Sequence, residues 1–376
     1  MGQRTSPLEG VERLMKYIDF NFFRGKRVFV TGHTGFKGSW LCQVLVNAGA
    51  EVTGYSLPAP TEPSLFALTG LESRMKSITG DIRDLSKLRE VYDRSNSEVV
   101  LHLAAQPIVR TSYEQPVYTY ETNVMGTVNL LECIRTAGAP PRSVVIITTD
   151  KVYENKEWAW GYRENDPLDG YDPYSNSKSC AELAVHSYVN SFFKNSSTAV
   201  STARAGNVIG GGDFARDRII PDCIRAAQAG EPVIVRNPYS TRPYQHVLEP
   251  LSAYLLIAMR QYEDKRLMGC YNVGPDDSDC VATGELVETF CRAWGEGMTW
   301  ENRAEVNAPH EAGFLKLDCS KLKSTFGWRP RWNIQEAVEQ TVIWTKTWMA
   351  RKSIPEVMDE QINAFLQEGY HGKVEQ

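Results

Sequence analysis

The stretch "RGKRVFVTGHTGFKGSWLCQVLVNAGAEVTGYS", residues 24–56, constrains the fold more than any other. Val28 to Val30 read as a strand, and Gly32, Gly35 and Gly38 follow at once. Gly38 to Ala48 carries apolar residues at helical spacing, and Gly49 ends that helix. "EVTGYS" is a second strand. So tight a turn needs residues without a Cβ if the backbone is to approach a pyrophosphate. The helix N-terminus behind it offers free N–H groups and a partial positive charge. Gly32, Thr34, Gly35, Phe36, Lys37 and Gly38 are therefore candidate dinucleotide contacts. The spacing is GxxGxxG instead of the commoner GxGxxG, and a plain strand-helix turn is the competing reading.

The alternation of elements beyond residue 56 favours the dinucleotide reading. "SITGDIRD" is a third strand, "LSKLREVYDRS" a helix and "EVVLHLAAQP" a fourth strand. A long helix over "YTYETNVMGTVNLLECIRTAG", a fifth strand "SVVIITTD", another long helix "DPYSNSKSCAELAVHSYVNSFF" and a sixth strand "TAVSTARAGNVIGGGD" continue the alternation. That pattern predicts an α/β fold with a doubly wound, Rossmann-like parallel sheet. The second half is less regular, with helices near 248–262, 284–294 and 334–349 and a strand "PVIVR". It reads as a smaller α/β substrate domain. The expected division is an extension over 1–24, a dinucleotide-binding domain over 25–203, a substrate-binding domain over 204–360 and a tail over 361–376. The helix near 248–262 is expected to pack back on the first domain.

Composition removes several function classes. The 376-residue chain carries a net charge of -5, so no global basic field invites nucleic acid. No apolar run approaches the ~18 residues of a membrane span. The eight cysteines show no CxxC pairing, so neither a disulfide frame nor a zinc site is expected, and a reducing cytoplasm is. "MGQRTS" fits the N-myristoylation pattern, but so short a match arises easily by chance, and an upstream leader before an internal start at Met15 is preferred.

The chemistry gathers at two places. The run Val144 to Ile147 ends in Thr149, Asp150 and Lys151, which puts a hydroxyl, a carboxylate and an amine at the end of an apolar strand. A solvated ion pair is the plain alternative. Tyr174 and Lys178 are spaced i,i+4, which sets both on one helix face. An ammonium beside a phenol favours phenolate and lowers its pKa toward working pH. Tyr174 could then take a proton from a sugar hydroxyl. The end of the second strand, Gly54-Tyr55-Ser56, holds no acid or arginine to choose between NAD and NADP. Asp81 and Ile82, ending the third strand, are placed to cover an adenine, with a turn-forming Asp as the alternative.

These residues resemble the extended short-chain dehydrogenase/reductase family, whose triad of Ser or Thr, Tyr and Lys matches Thr149, Tyr174 and Lys178. "GHTGFKGSW", "GDIRD", "HLAAQP", "TNVMGT" and "RAGNVIGGGD" are similar to its nucleotide-sugar branch, from about residue 24 to about residue 349. The resemblance implies bound NAD, with Leu103, Ala104, Ala105, Thr122 and Thr148 as further contacts, and Gln106 near substrate. Epimerases of the branch carry small residues after the Thr, and dTDP-glucose dehydratases carry Asp-Glu. Here the pair is Asp150-Lys151. With "WGYREN", "YDPYSNSK", "RNPYSTRPYQHVLEPLSAYL" and "HEAGFLKLDCSK", it resembles the 4,6-dehydratases that act on CDP-glucose. That implies C4 oxidation through Tyr174 and Thr149, water loss across C5–C6 with Asp150 as acid, and hydride return to C6. Lys151 would be the C5 base or an electrostatic stabiliser of the enolate.

A CDP-sugar carries two phosphate charges, and Arg forks fit them bidentately. Arg216, Arg218, Arg236 and Arg242 are candidates, each against the alternative of a solvated loop charge. The resemblance points to Asn207 near the sugar or phosphate, and to Arg218 and Arg242 near the pyrophosphate and ribose. His246 and His310 are expected in loops as polar contacts, His310 near substrate, and no metal site is expected. Helices around 116–137 and 173–193 carry apolar faces beyond what one sheet face needs. The resemblance implies a homodimer through them, with a tetramer as the larger alternative. Another nucleotide-sugar dehydratase, a 4-epimerase and a non-catalytic NAD-binding scaffold stay open as alternative functions.

Overall fold

Strands Arg27–Thr31 (β1), Glu51–Ser56 (β2), Lys76–Thr79 (β3), Val99–His102 (β4), Ser143–Ile147 (β5), Ala199–Ala205 (β6) and Cys270–Val273 (β7) make one sheet. The order is β7-β6-β5-β4-β1-β2-β3, and every neighbouring pair is parallel. The chain reverses its winding between β1 and β4, where open sheets of this kind bind ligands outside the strand carboxyl ends. The computed structural model describes residues 19–304 and 313–367.

The helices are Phe36–Asn47 (α1), Leu85–Ser95 (α2), Gly126–Thr136 (α3), Pro173–Tyr188 (α4), Ile219–Ala229 (α5), Leu248–Glu263 (α6), Thr283–Trp294 (α7), Ile334–Met349 (α8) and Ile354–Gln367 (α9). Strand periodicity assigns the two sheet faces. Val28, Val30, Val145 and Ile147 join one core with Leu41 of α1, Tyr254 of α6 and Met358 of α9. Phe29, Val144 and Ile146 join the other with Leu88 of α2, Leu130 of α3 and Val185 of α4. Both faces are covered, so the strands read as continuous apolar runs. Each such side chain contributes roughly 1.5–3 kcal/mol by leaving water.

A third core lies in the second half. Ile220 and Ile224 of α5, Leu286 and Phe290 of α7, and Val338 and Val342 of α8 pack with Val233 and Val235. Val233–Val235 pairs in parallel with Trp300–Asn302. The halves meet closely at the "GGGD" turn. Trp40 Nε1 donates to the Gly211 carbonyl at 2.9 Å, and Trp344 lies so near that a Cβ on Gly211 would sit 2.0 Å from its ring.

Several elements differ from the sequence expectations. β5 stops at Ile147, and Asp150–Val152 forms a short 3-10 turn. The helix expected over 118–138 contains a π-helical turn at Glu121–Met125 before α3. The helix near 248–262 is α6, which lies against the sheet as expected, and β7 follows it from beyond residue 203. α9 extends into the expected tail as far as Gln367, with Val357, Met358, Ile362 and Phe365 buried.

Candidate active site

The three turn glycines serve different ends. Gly32 has φ +75°, and a Cβ there would meet the Ala104 amide nitrogen at 2.7 Å. A Cβ on Gly38 would meet the Gly32 carbonyl at 2.1 Å, so α1 can begin against the turn only without a side chain. Gly35 differs: a Cβ there would make one ordinary contact, 3.5 Å from the Gly32 carbonyl. The chain's own packing does not require its glycine. Gly35 is also the N-cap of α1 and supplies no side-chain cap, so the first helical N–H groups suit an anion. Thr34 turns its hydroxyl away, bonding Ser56 Oγ and the Leu57 carbonyl at 2.9 Å each.

At the end of β5, Thr149 is the N-cap of the 3-10 turn and accepts from the Lys151 amide at 3.4 Å. Its hydroxyl donates to Asp150 Oδ1 at 3.0 Å. Asp150 is only 1% exposed, and its Oδ2 has no hydrogen-bond partner. Burial pushes its carboxyl above the usual range, while Lys151, the Thr149 hydroxyl and Arg242 pull the other way. A carboxyl held toward its acid form suits proton donation. Lys151 is half-buried.

α4 brings in the other pair. Asp172 caps this helix by accepting from the Ser175 amide at 3.0 Å, with Pro173 in its first turn. Lys178 is buried, and its Nζ reaches the Ile147 carbonyl at 3.4 Å, beside the strand end that precedes Thr149. Burial lowers its pKa to about 8, against the raising effect of Glu182. Burial pushes the Tyr174 phenol up to about 12; a hydrogen bond from Thr149 and the charge of Arg218 draw it down, and Asp150 and Asp172 draw it up.

The structure brings some second-half residues to this point and leaves others away. Arg242 is 2% exposed and acts electrostatically on Asp150. Arg218 donates to Asp213 Oδ2 at 2.8 Å and is close enough to act on Tyr174 and Lys37. Half-buried Lys37 lies over the Tyr254 ring at 5.9 Å; burial lowers its pKa to about 7, as do Arg218 and Lys178, and Asp150 raises it. Arg216 and Arg236 are exposed, and Arg236 lies 4.0 Å from Asp217. Asn207 is half-buried, and its carbonyl accepts from Gln245. His246 is fully buried against Trp332 and is not a loop contact. His310 lies outside the described residues.

Other expected contacts have work inside the protein. Gln106 accepts from the Ile108 amide at 2.6 Å and donates to Thr119 at 2.9 Å, so its side chain shapes the loop after β4. Asp81 forms a fork with Arg83 at 2.7–3.1 Å, and Ile82 packs under Gly126. Thr122 is buried with its Oγ1 unpartnered, and Leu103, Ala104 and Ala105 are half-buried where β4 ends. Thr148 donates to Glu182 Oε1 at 2.5 Å. Glu182, Arg204 and Tyr153, which surround the site from below, were not singled out from sequence. The available signal was Arg204, a lone charge inside the apolar strand "TAVSTARAG". Among the described residues, no group of His, Cys, Asp and Glu could hold a metal ion, and the eight cysteines are unpaired.

A dinucleotide turn at a sheet switch point, with a hydroxyl, a carboxyl, a phenol and an ammonium at the next strand end, defines a nucleotide-sugar-modifying member of the short-chain dehydrogenase/reductase class. The family model described as GDP-mannose 4,6 dehydratase matches residues 29–341, and the chain belongs to that family. It is 53% identical to CDP-glucose 4,6-dehydratase of Salmonella typhimurium over 338 residues, 88% of this chain and 94% of that protein. It is 28% identical to dTDP-glucose 4,6-dehydratase of Xanthomonas campestris pv. campestris, covering 85% of this chain and 94% of that one. Among solved structures, dTDP-glucose 4,6-dehydratase of Bacillus anthracis superposes with TM-score 0.72 at 22% identity, covering 87% of this chain and 99% of that chain. This last likeness shows the fold.

Proposed function

We propose that the chain is an NAD-dependent lyase that dehydrates CDP-D-glucose to CDP-4-keto-6-deoxy-D-glucose. The observation that carries this reading is Asp150: a buried carboxyl, hydrogen-bonded to Thr149 and held toward its acid form at the end of β5. A 4-epimerase has no step that calls for such an acid. The identity to the Salmonella typhimurium CDP-glucose enzyme supports the nucleotide assignment.

The residues present fit NAD. Gly32, Gly35, Gly38 and the α1 N-terminus would hold its pyrophosphate, with Lys178 and Thr122 toward the rest of the molecule. When bound, NAD would supply the hydride acceptor for oxidation at sugar C4, the hydride source for C6 and a positive charge near the phenol. Tyr174 takes the proton of the 4-hydroxyl, and Thr149 hydrogen-bonds the same oxygen. The 4-keto group acidifies C5–H, and Lys151 removes that proton or stabilises the enolate. Asp150 protonates the leaving 6-hydroxyl, which departs as water. Burial of Asp150 and Lys178, with Tyr174 half-buried beside them, keeps bulk water from the reactive carbons. Arg242 and Arg218 hold the diphosphate.

Two copies of the chain would assemble through the paired helices of the 116–137 and 173–193 segments. Val117, Met125, Leu183 and Phe192 are exposed there, Val117 by 70%. No helix among the described residues is long and apolar enough to cross a membrane, and eight thiols without disulfide spacing favour a reducing cytoplasm.

The test is incubation with a panel of CDP-, dTDP-, UDP- and GDP-hexoses, reading loss of one water by mass. Water loss with CDP-glucose alone is expected. Conversion of another nucleotide sugar but not CDP-glucose overturns the nucleotide assignment, and C4 inversion without water loss makes the protein an epimerase.

A further inference from the structure

A buried ion pair sits beneath the catalytic turn and touches both of its ends. Glu182 is buried on α4, one helical turn beyond Lys178. Its Oε1 accepts from Thr148 Oγ1 at 2.5 Å, and its Oε2 accepts from Thr202 Oγ1 at 2.8 Å and Arg204 at 2.9 Å. Thr148 is the residue before Thr149. Arg204 also donates to Tyr153 Oη at 2.8 Å, and Tyr153 is two residues after Lys151. Between these anchors, Ser179 of α4 donates to the Val152 carbonyl at 2.7 Å.

The segment 148–153 is therefore held at its start by Glu182, near its end by Ser179 and at its end by Arg204. A buried charge pair seldom adds net stability over apolar packing, because both ions lose their hydration. Tyr174 and Lys178 are placed by α4 itself, through its cap and backbone. Asp150 and Lys151 are placed by the clamped turn. We propose that the Glu182–Arg204 pair is a positioning device that serves chiefly the elimination half of the reaction, holding Asp150 and Lys151 against C6 and C5, while the base of the C4 oxidation, Tyr174 with Lys178, is placed by α4 and only Thr149 is shared with the clamped turn. This rests on the dehydratase reading above.

The test uses the full chain with Thr148→Val and Tyr153→Phe combined, which loosens both ends of the turn (the second also by removing the Tyr153 Oη bond to Asn272) and leaves the ion pair bonded to itself, Thr202 and the Glu164 carbonyl. Displacements well under an ångström suffice to slow a positioned proton transfer, so kcat for CDP-glucose should fall about tenfold with KM little changed. The isotope effect with C5-deuterated substrate should grow, and that with C4-deuterated substrate should shrink toward unity. Amide hydrogen exchange over 148–153 should rise about tenfold, with β4 and β6 unchanged. A second variant, Glu182→Gln with Arg204→Met, removes the whole pair without leaving one charge buried alone; because Glu182 also raises the Lys178 pKa, its readout is amide exchange, and the same rise over 148–153 is expected. Unchanged exchange over 148–153, or isotope effects that keep the wild-type ratio while kcat falls, overturns the clamp. If the wild type does not dehydrate CDP-glucose, the functional reading fails instead, and the exchange measurement still judges the clamp.

Discussion

The strand end at Thr149–Lys151 and the arginine-bearing loops at 213–242, both assigned to the proposed reaction, have opposite architecture. The strand end is fixed by sheet pairing, by hydrogen bonds to α4 and by burial on both sides. The loops belong to a second core, and their arginines range from Arg242, 2% exposed, to Arg236 at the surface. The difference teaches a division of labour. Groups that move protons need angstrom-scale placement and shifted acidity, which buried strand and helix ends supply. Groups that hold a diphosphate need charge and reach, which loops supply.

The largest effects should fall on the fixed region. Tyr174→Phe removes the group proposed to take the 4-hydroxyl proton, and turnover should drop about 10³-fold or more, with KM nearly unchanged. Steady-state rates measured by mass detection check this. A loss below about tenfold would hand the base role to another group.

Next comes Asp150→Asn, which keeps the shape but removes the proton. C4 oxidation should persist while water loss slows about 10²-fold. Borodeuteride quenching reads the outcome: the variant should accumulate a trappable 4-keto sugar that still bears its 6-hydroxyl. Full dehydration at the native rate would end the acid assignment, and with it the contrast between the two strand-end pairs.

The loops should respond in KM. Arg242→Leu removes a buried fork and should raise KM roughly 10–100-fold with kcat within about threefold. Arg236→Ala, at an exposed position, should raise it no more than about threefold. The reverse ranking would mean that the buried arginine serves the fold and the exposed one serves the ligand.

The legibility of the chain follows the same division. The turn glycines, the 85–95 helix and the Tyr174–Lys178 spacing are local patterns, and the structure reproduces them because local sequence sets them. β7 was not read, because Cys270–Val273 is four residues long and becomes a strand only by pairing with β6. α5 was missed because Pro221 in its first turn reads as a breaker, although proline fits there. The Asp150–Val152 turn, the Glu182–Arg204 pair and the burial of His246 depend on tertiary neighbours far apart in sequence. Gln106 shows the limit of resemblance: the residue is where the pattern expects it, but its amide is engaged with Thr119 and Ile108.

The smallest effect lies at the seam between the two regions. Glu249 opens α6, is fully buried, and accepts from the Arg331 and Trp332 amides at 2.8 and 2.7 Å through Oε1. Burial raises its pKa from 4.5 to about 8, and the two amides and Arg331 only partly offset this. Between those values the folded chain keeps a proton that the unfolded chain releases, so the stability it contributes is full below 4.5 and is lost as pH rises through about 8. Glu249→Gln keeps an acceptor for both amides and cannot titrate. Going from about pH 5 to about pH 8, the melting temperature of the variant relative to the wild type should move upward by ~3 °C or more, since ~1 kcal/mol shifts Tm by a few degrees in a chain of this size. Calorimetric melts at the two pH values decide it. Parallel pH profiles would show that Glu249 ionises within the fold.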